Sequence, residues 1–285
     1  MCRIISSIFA STTVLAMLTC GSAVAADPEC SPFLTPPVFT GTVPSPKEVL
    51  GFPIGAREVT TQESDKYLDA VDASSARVVT GTAATSVEGR VLRYAIIGRE
   101  GHVTEQGLAD IRKAVQQLTD PDTKASEAAQ LAAATPAILW VSGNVHGNEK
   151  SGADAALRVT YELSDRNDCV VNRILDNAIV VVLPIQNPDG REANTRRNFY
   201  GFDMNRDWFA RTQPETDGKL ELLRQYRPVL YIDAHEFGYS HYFFPPNADP
   251  VYHEVPDRPF DWINNIYGAS IAAEMDRQKI SYFHG

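Results

Sequence analysis

Cysteine is scarce in this chain, and acidic side chains outnumber basic ones. The four cysteines include no Cys-x-x-Cys pair, which argues against a thiolate zinc site. The chain contains no Gly-x-Ser-x-Gly segment, which disfavours a serine hydrolase, and no glycine-rich phosphate loop. The formal net charge of −10 argues against nonspecific binding to nucleic acid or to an anionic membrane. A hydrophobic fraction of 44% is ordinary for a globular domain.

Long apolar runs are also missing, apart from a short one at the N-terminus. Residues 4–18 form an apolar stretch after Arg3, and Ala23-Val-Ala25 is a small-x-small cleavage site. We therefore predict a signal peptide at residues 1–25 and export to the periplasm or the medium. A membrane span is disfavoured because the run is short and lacks flanking charge. A lipoprotein acylated at Cys20 is the less favoured alternative, because the residue before it fits acylation poorly.

Two cysteines, Cys30 and Cys169, remain after removal of the predicted signal peptide. Export makes a disulfide between them chemically possible. The sequence does not show whether they lie close enough to pair. A disulfide and two free thiols therefore both remain open.

Apolar runs with strand character alternate with amphipathic segments along the rest of the chain. Residues 26–58, rich in Pro and Gly, are predicted to form an extended N-terminal arm, and residues 59–285 a partial α/β domain. Thr60-x-x-Glu63 predicts a capped helix through about residue 73. The alternation predicts a mixed, largely parallel sheet flanked by helices on both faces. Strands are predicted at 91–97, 136–141, 178–185 and 228–234, and further helices near 104–118, 150–163, 168–176, 215–226 and 260–279.

A His-x-x-Glu pair and a distant histidine lie at the ends of two predicted strands. His146 and Glu149 stand between a strand and a helix, and His235 closes a later strand. Sites in open α/β sheets form at the carboxyl ends of strands. Two imidazoles and one carboxylate, with a position left for water, are typical of a catalytic zinc site and suggest hydrolysis. The pair alone is a weak signal, and a lone histidine is more often a core residue. Their common placement favours a shared metal ion.

Turn-forming and arginine-rich segments lie between these ligands. Asn187-Pro-Asp-Gly190 follows a predicted strand and has the composition of an ordinary turn. An arginine binds a carboxylate through two parallel charged hydrogen bonds, and the C-terminus of a peptide is a carboxylate. The segment after this turn therefore suggests an anion site, with solvated surface charge as the alternative. Its arginines are Arg191, Arg196, Arg197 and Arg206.

These motifs resemble those of the zinc carboxypeptidases of the carboxypeptidase A/B type. His146 and Glu149 match that family's His-x-x-Glu, and His235 matches its third ligand. Asn187–Gly190 matches its Asn-Pro-Asp-Gly segment, and residues 201–208 are similar to its Gly-Val-Asp-x-Asn-Arg-Asn block. The resemblance covers about residues 60 to 285. It implies one zinc ion and removal of C-terminal residues from peptides.

The resemblance also implies roles for residues in the arginine-rich segment. Asn205 and Arg206 are expected to bind the terminal carboxylate of the substrate. Arg196 is expected to polarise the scissile carbonyl and to stabilise the developing oxyanion, with Arg197 as the competing choice. Asp203 is expected to orient His146, since metal-bound histidines need an acceptor for their second nitrogen.

The sequence departs from the family at the general base, a glutamate on a late strand. In the segment after His235, Glu236 would point away from the ligand in a continuing strand. Glu254 and Glu274 lie in a Pro-rich loop and a predicted helix. We therefore assign no general base. We expect a catalytic domain that is truncated at its C-terminus.

Three functions remain open at this point. The first is a zinc-dependent metallocarboxypeptidase that acts on peptides with a free C-terminus. A zinc amidohydrolase of the aspartoacylase or desuccinylase kind uses a similar ligand trio, although the segment at 187–190 and the arginines favour the peptidase. The third is a non-catalytic remnant that binds zinc or peptide. The preferred terminal side chain, the choice between protein-derived and peptidoglycan peptides, and the oligomeric state do not follow from the sequence.

Overall fold

The computed structural model describes residues 30–31, 34–236, 242–243 and 256–283. The predicted signal peptide at 1–25, with Cys20, and Glu254 lie outside the described residues. No helix within the described ranges is both long and apolar enough to cross a membrane.

A five-stranded mixed sheet forms the centre of the domain. Its strands are β1 (Val78–Thr85), β2 (Val91–Ile97), β3 (Ala137–Gly143), β4 (Ala178–Leu183) and β5 (Leu230–Ala234). They lie in the order β1-β2-β4-β3-β5, with β2 antiparallel to both of its neighbours and β3 parallel to both of its own. The predicted mixed sheet with a parallel core is therefore confirmed. A separate parallel pair joins β6 (Tyr242–Phe243) to β7 (Tyr282–Phe283).

Helices connect and cover the strands close to the predicted positions. The predicted helix at 260–279 is interrupted by a π-helical segment, Ile263–Gly268, and the Ala-rich residues 121–135 include a surface helix. Thr60 and Glu63 form the predicted capping box. The helices are α1 (Pro46–Leu50), α2 (Thr61–Ser74), α3 (Glu100–Val103), α4 (Glu105–Leu118), α5 (Ala125–Ala134), α6 (Ser151–Asp165), α7 (Cys169–Asn177), α8 (Pro188–Glu192), α9 (Pro214–Gln225), α10 (Asp257–Trp262) and α11 (Ala269–Gln278).

Strand β4 is apolar at every position and is buried on both faces of the sheet. Val180 and Val182 pack in one layer with residues of α2, α6 and α7. Ile179, Val181 and Leu183 point to the other face and pack with residues of α4 and α9. Successive side chains of a strand alternate between faces, so a continuous apolar run fits a strand with helices on both sides.

Strand β1 was not predicted from the sequence, and its composition explains why. Val78–Thr85 contains five β-branched residues, but Gly81, Ala83 and Ala84 interrupt the run and weaken its strand pattern. The small residues make room for the neighbouring strand: Gly81 lies opposite Tyr94, and a Cβ atom on Gly81 would lie 2.4 Å from the Tyr94 hydroxyl. The requirement for glycine at this position therefore arises from packing across the sheet.

The segment around residues 40–43 is fastened to the end of α6 by one buried carboxylate. Asp165 accepts hydrogen bonds from the Thr40 hydroxyl at 2.5 Å and from the backbone amides of Gly41, Thr42 and Val43, each at 3.0 Å. Burial opposes ionisation, but these hydrogen bonds outweigh it and lower the pKa of Asp165.

A disulfide makes a second connection between the N-terminal segment and the domain. Cys30 is bonded to Cys169 at the start of α7, with a Cα–Cα distance of 5.9 Å. Of the two states left open by the sequence, the structure shows the disulfide.

We expect Asp165→Asn to lower the free energy of unfolding at pH 7 by about 2 kcal/mol, because hydrogen bonds to a charged acceptor contribute about 1.5–3 kcal/mol. The pKa of Asp165 is depressed by folding, so this stabilisation exists above the unfolded pKa and is lost as pH falls through the folded pKa. Urea unfolding at several pH values measures it. Asp176→Asn, which removes an exposed partner of Arg99, is the control with little expected effect. Equal loss in both variants would contradict the assignment.

Candidate metal centre

Three side chains converge where two parallel strands end. His146 follows β3 by three residues, Glu149 lies just before α6, and His235 directly follows β5. One ligand atom from each lies within 4.8 Å of the others. The Nδ1 atoms of His146 and His235 lie 2.7 Å and 2.9 Å from the two oxygens of Glu149. Both imidazoles therefore present the same nitrogen to one carboxylate.

Each histidine has a second carboxylate on its far side. His146 Nε2 lies 3.2 Å from Asp203 Oδ1, and His235 Nε2 lies 3.0 Å from Asp233 Oδ2. A proton on each Nε2 satisfies these contacts and leaves the Nδ1 lone pair free for a metal ion. The donor set and its outer carboxylates thus fit a zinc site with three protein ligands.

The loop that carries His146 and Glu149 is held from inside by Asn144. This residue is fully buried and adopts a left-handed conformation with φ of 58°. Its amide nitrogen lies 2.8 Å from the carbonyl oxygen of His146, 3.0 Å from that of Gly147 and 2.9 Å from that of Glu149. A short polar side chain tolerates this backbone conformation. Its amide group also supplies a hydrogen-bond donor to the three carbonyl groups of the turn.

The Asn-Pro-Asp-Gly segment supports this loop from the neighbouring strand. Asn187 caps α8 by accepting from the Gly190 amide at 2.9 Å, and its own amide donates to the Val145 carbonyl at 3.3 Å. A Cβ atom on Gly147 would lie 2.0 Å from the carbonyl carbon of Gly190, so the two loops touch through glycine. The segment predicted as a turn is therefore the start of a helix that supports the metal-binding loop.

Of the two competing arginines, Arg196 lies at the cluster. Its Nη1 is 3.2 Å from His146 Nδ1 and 3.5 Å from Glu149 Oε1, and its Nε donates to Asp203 at 3.0 Å. Arg197 instead donates to the Gly201 carbonyl at 2.8 Å. Arg196 therefore contacts the candidate ligands, whereas Arg197 contacts the backbone of its own loop.

Asn205 and Arg206 lie beside the cluster in a short 3-10 turn, Met204–Arg206. The Asn205 amide nitrogen is 3.4 Å from His235 Nε2, and its backbone amide donates to Asp203 at 3.0 Å. The exposed side chain of Arg206 donates to the Asn205 carbonyl at 3.0 Å. All three residues contact Asp203, since the backbone amide of Arg206 donates to the Asp203 carbonyl at 2.9 Å.

Arg191 does not fit the expected anion site. It is buried, and it donates to Asp154 at 3.0 Å, to the Val59 carbonyl at 2.9 Å and to the side-chain oxygen of Asn144 at 3.3 Å. Its positive charge is paired with the buried carboxylate of Asp154. It holds the loop that carries His146 and Glu149 through Asn144, so the expectation of an anion-binding role was wrong for this arginine.

Three residues that connect to His235 through hydrogen bonds were not predicted from the sequence. Asp233 stands two residues before His235, and side chains at that spacing in a strand share a face, so a signal was present. Gln186 donates to Asp233 Oδ1 at 3.0 Å, and Lys219 donates to Gln186 Oε1 at 2.9 Å. No local pattern identifies these two, because they reach the site from other elements.

Glu236 accepts from the Ser151 amide at 2.5 Å and so faces the start of α6.

Residues 64–285 match the zinc carboxypeptidase family model (Peptidase_M14). The chain belongs to the zinc carboxypeptidase family. The predicted family resemblance is thereby confirmed. A probable carboxypeptidase 2 of Trichophyton verrucosum is 32% identical over 114 residues, which cover 40% of this chain and 22% of that protein. Carboxypeptidase M of Mus musculus is 32% identical over 118 residues, covering 35% of this chain and 26% of that protein.

The fold agrees with this family. Carboxypeptidase A from Helicoverpa armigera superposes with a TM-score of 0.59 at 19% identity, covering 80% of this chain and 57% of that structure. The structure of thrombin activatable fibrinolysis inhibitor superposes with a TM-score of 0.54 at 16% identity, covering 80% and 59%. The chain spans about a fifth of the length of the fungal carboxypeptidase 2 relatives that it matches.

We expect Arg191→Met to lower the free energy of unfolding by roughly 3–5 kcal/mol, because Asp154 would be left as an unpaired buried charge. Arg197→Met removes an exposed arginine from the same part of the chain and should change stability by no more than about 0.5 kcal/mol. Chemical denaturation of both variants measures the difference. Similar values for the two would show that Arg191 is not an internal support.

Proposed function

We propose that this chain is the zinc-binding part of an exported metallocarboxypeptidase that removes C-terminal residues from peptides. The observation that carries the proposal is the cluster of His146, Glu149 and His235, in which each imidazole has its far nitrogen on a carboxylate. One zinc ion held by these three residues supplies Lewis acidity toward a peptide carbonyl. Family membership favours this activity over that of a related amidohydrolase.

Asp203 and Asp233 fix the side chains that would hold the ion. Each accepts a hydrogen bond from the Nε2 atom of one histidine, which sets the ring orientation and keeps the proton away from Nδ1. Burial works against the charge of Asp233, but hydrogen bonds from His235 and Gln186 outweigh it and lower its pKa. Both carboxylates therefore remain ionised acceptors at neutral pH.

Arg196, Asn205 and Arg206 provide the polar groups that a peptide C-terminus needs. We assign Arg206 and Asn205 to the terminal carboxylate, since a guanidinium and an amide side by side donate to both of its oxygens. We assign Arg196 to the scissile carbonyl, because its Nη1 already lies at the metal-facing atom of His146 at 3.2 Å. A guanidinium there stabilises negative charge that develops on that oxygen.

The proton acceptor is not assigned. Among the described glutamates after His235, Glu236 binds the start of α6 and Glu274 pairs with Arg277. Both carboxylates already have partners in the part of the chain that the structure describes, and Glu236 contacts the cluster through its backbone amide, which donates to Glu149 Oε2 at 3.0 Å. Binding of zinc and of peptide can nevertheless be tested separately from turnover.

We further propose that residues 1–25 are a cleaved signal peptide. The apolar stretch and the small-x-small site of the sequence support export. The disulfide between Cys30 and Cys169 supports it independently, because disulfides persist in oxidising compartments and are rare where thiols are kept reduced.

We expect the purified chain to bind one zinc ion and to lose it to a strong chelator. His146→Ala should weaken zinc binding by more than the ~10–100-fold that is typical of outer-sphere changes, because it removes a ligand. His102→Ala, which changes a histidine outside the cluster, is the matched control. Elemental analysis after dialysis gives the metal content. Equal zinc in His146→Ala and the control would reject the proposed ligand set.

We expect Arg206→Gln to weaken binding of a peptide with a free C-terminus by roughly 10-fold, which corresponds to the loss of one charge-assisted hydrogen bond. The same variant should bind the C-terminally amidated peptide as the wild type does. Calorimetry on the zinc-loaded protein measures both ligands, and Arg197→Gln is the control. A uniform loss for both peptides would place Arg206 outside the carboxylate site.

A further inference from the structure

A buried lysine lies behind the metal-binding cluster with a neutral amide as its hydrogen-bond partner. Lys219, on α9, is 1% exposed, and its Nζ donates to Gln186 Oε1 at 2.9 Å. The ammonium also lies 3.7 Å from the ring centroid of Trp208. Burial lowers the pKa of Lys219 to about 8 although Asp233 and Asp207 counteract it. An apolar side chain would fill this position without the cost of burying a cation, so the charge requires an explanation.

Gln186 connects this lysine to the carboxylate behind His235. Gln186 is 1% exposed, and its amide nitrogen lies 3.0 Å from Asp233 Oδ1 and 3.2 Å from the carbonyl oxygen of Gly143 at the end of β3. Asp233 Oδ2 accepts from His235 Nε2 at 3.0 Å. Three hydrogen bonds thus run without interruption from the buried ammonium to a candidate metal ligand.

The lysine requires the same direction of these hydrogen bonds as the two acceptors at the nitrogen end of Gln186. An ammonium group only donates, so it can bond only the oxygen end of the Gln186 amide. The nitrogen end is then turned toward Asp233, where it donates to Oδ1. Oδ2 is left to accept the Nε2 proton of His235, which keeps the Nδ1 lone pair directed at the cluster. Without the ammonium, the buried Oε1 of Gln186 loses its donor, and only the contacts of the nitrogen end to Asp233 and to the Gly143 carbonyl hold the amide in place.

A second route links the same lysine to the loop beside the cluster. The indole N–H of Trp208, whose ring lies under the Lys219 ammonium, donates to Asn205 Oδ1 at 3.1 Å. The Asn205 amide nitrogen lies 3.4 Å from His235 Nε2; with the proton on Nε2 both groups are donors, so this contact is one of packing and not a hydrogen bond. Lys219 therefore contacts one residue on each of the two segments that approach His235 from behind.

We propose that Lys219 is a positioning residue for the metal centre, which acts through Gln186 and Asp233 to hold His235 in the orientation that binds a metal ion. The inference rests on the proposed zinc site, and it deepens that proposal by naming a residue outside the ligand set. Lys219 does not touch the cluster itself. Its effect is expected on metal affinity and ligand geometry.

The test compares Lys219→Met with Arg224→Met, which removes an exposed cation from the same helix. We expect Lys219→Met to fold and to bind zinc ~3–10-fold more weakly in competition with a chelator, less than the ~10–100-fold typical of a direct partner of a ligand. The visible spectrum of the cobalt-substituted protein should also change, because it reports ligand geometry. Arg224→Met should match the wild type in both measurements.

Gln186→Leu provides the second variant, and the double variant shows whether the two residues act together. If Lys219 acts through Gln186, the double variant should bind zinc no more weakly than the weaker single variant, since coupled effects are not additive. Losses that multiply would overturn the route through Gln186. If Lys219→Met does not fold, Gln186→Leu alone is decisive: wild-type zinc affinity and an unchanged cobalt spectrum would overturn the inference.

The two proposals fail in distinguishable ways. A wild-type chain that binds no zinc contradicts the proposed metal centre. A wild-type chain that binds one zinc ion, alongside a folded Lys219→Met protein with the same affinity and cobalt spectrum, contradicts only the positioning role of Lys219.

Discussion

The parallel pairing of β3 with β5 is the constraint on which the candidate metal centre depends. Gly143 lies opposite Ala234 in this pair, so the two strands end at the same edge of the sheet. The residues that follow these ends carry His146 and His235, which are far apart in sequence and come together only through this pairing. Glu149 then lies between the two imidazoles because the loop after β3 turns directly into α6. A change of register between these strands would separate the ligands.

Hydrogen bonds to buried polar groups fix the positions of the side chains that follow these strand ends. Asp203 and Asp233 each accept from one histidine, and Asn144 gathers the carbonyl groups of the loop between the ligands. Arg191, expected to bind anions, instead holds Asn144 from the protein interior. A site of this kind depends on every buried polar group finding a partner, because an unpaired one costs more free energy than a satisfied pair contributes.

The sequence predicted those parts of the protein whose signals are local. The parallel strands are continuous apolar runs, and His146 and Glu149 are close in sequence, so both were found. Strand β1 was missed because Gly81 and two alanines weaken its pattern, and the packing of Gly81 against Tyr94 of the next strand is not a local signal. Gln186 and Lys219 were missed for a related reason, since they belong to separate elements that meet only in three dimensions. The expected role of Asp203 came from the family resemblance and not from any periodic pattern in the sequence.

Two imidazoles and one carboxylate are proposed to share a single zinc ion. X-ray absorption at the zinc edge of the protein loaded with one equivalent of zinc tests it most directly. We predict a first shell of nitrogen and oxygen at about 2.0–2.2 Å, with the outer-shell scattering of two imidazole rings. Substitution of His235 should remove one ring from that signal. A spectrum without imidazole scattering, or with two rings still present after that substitution, would contradict the account.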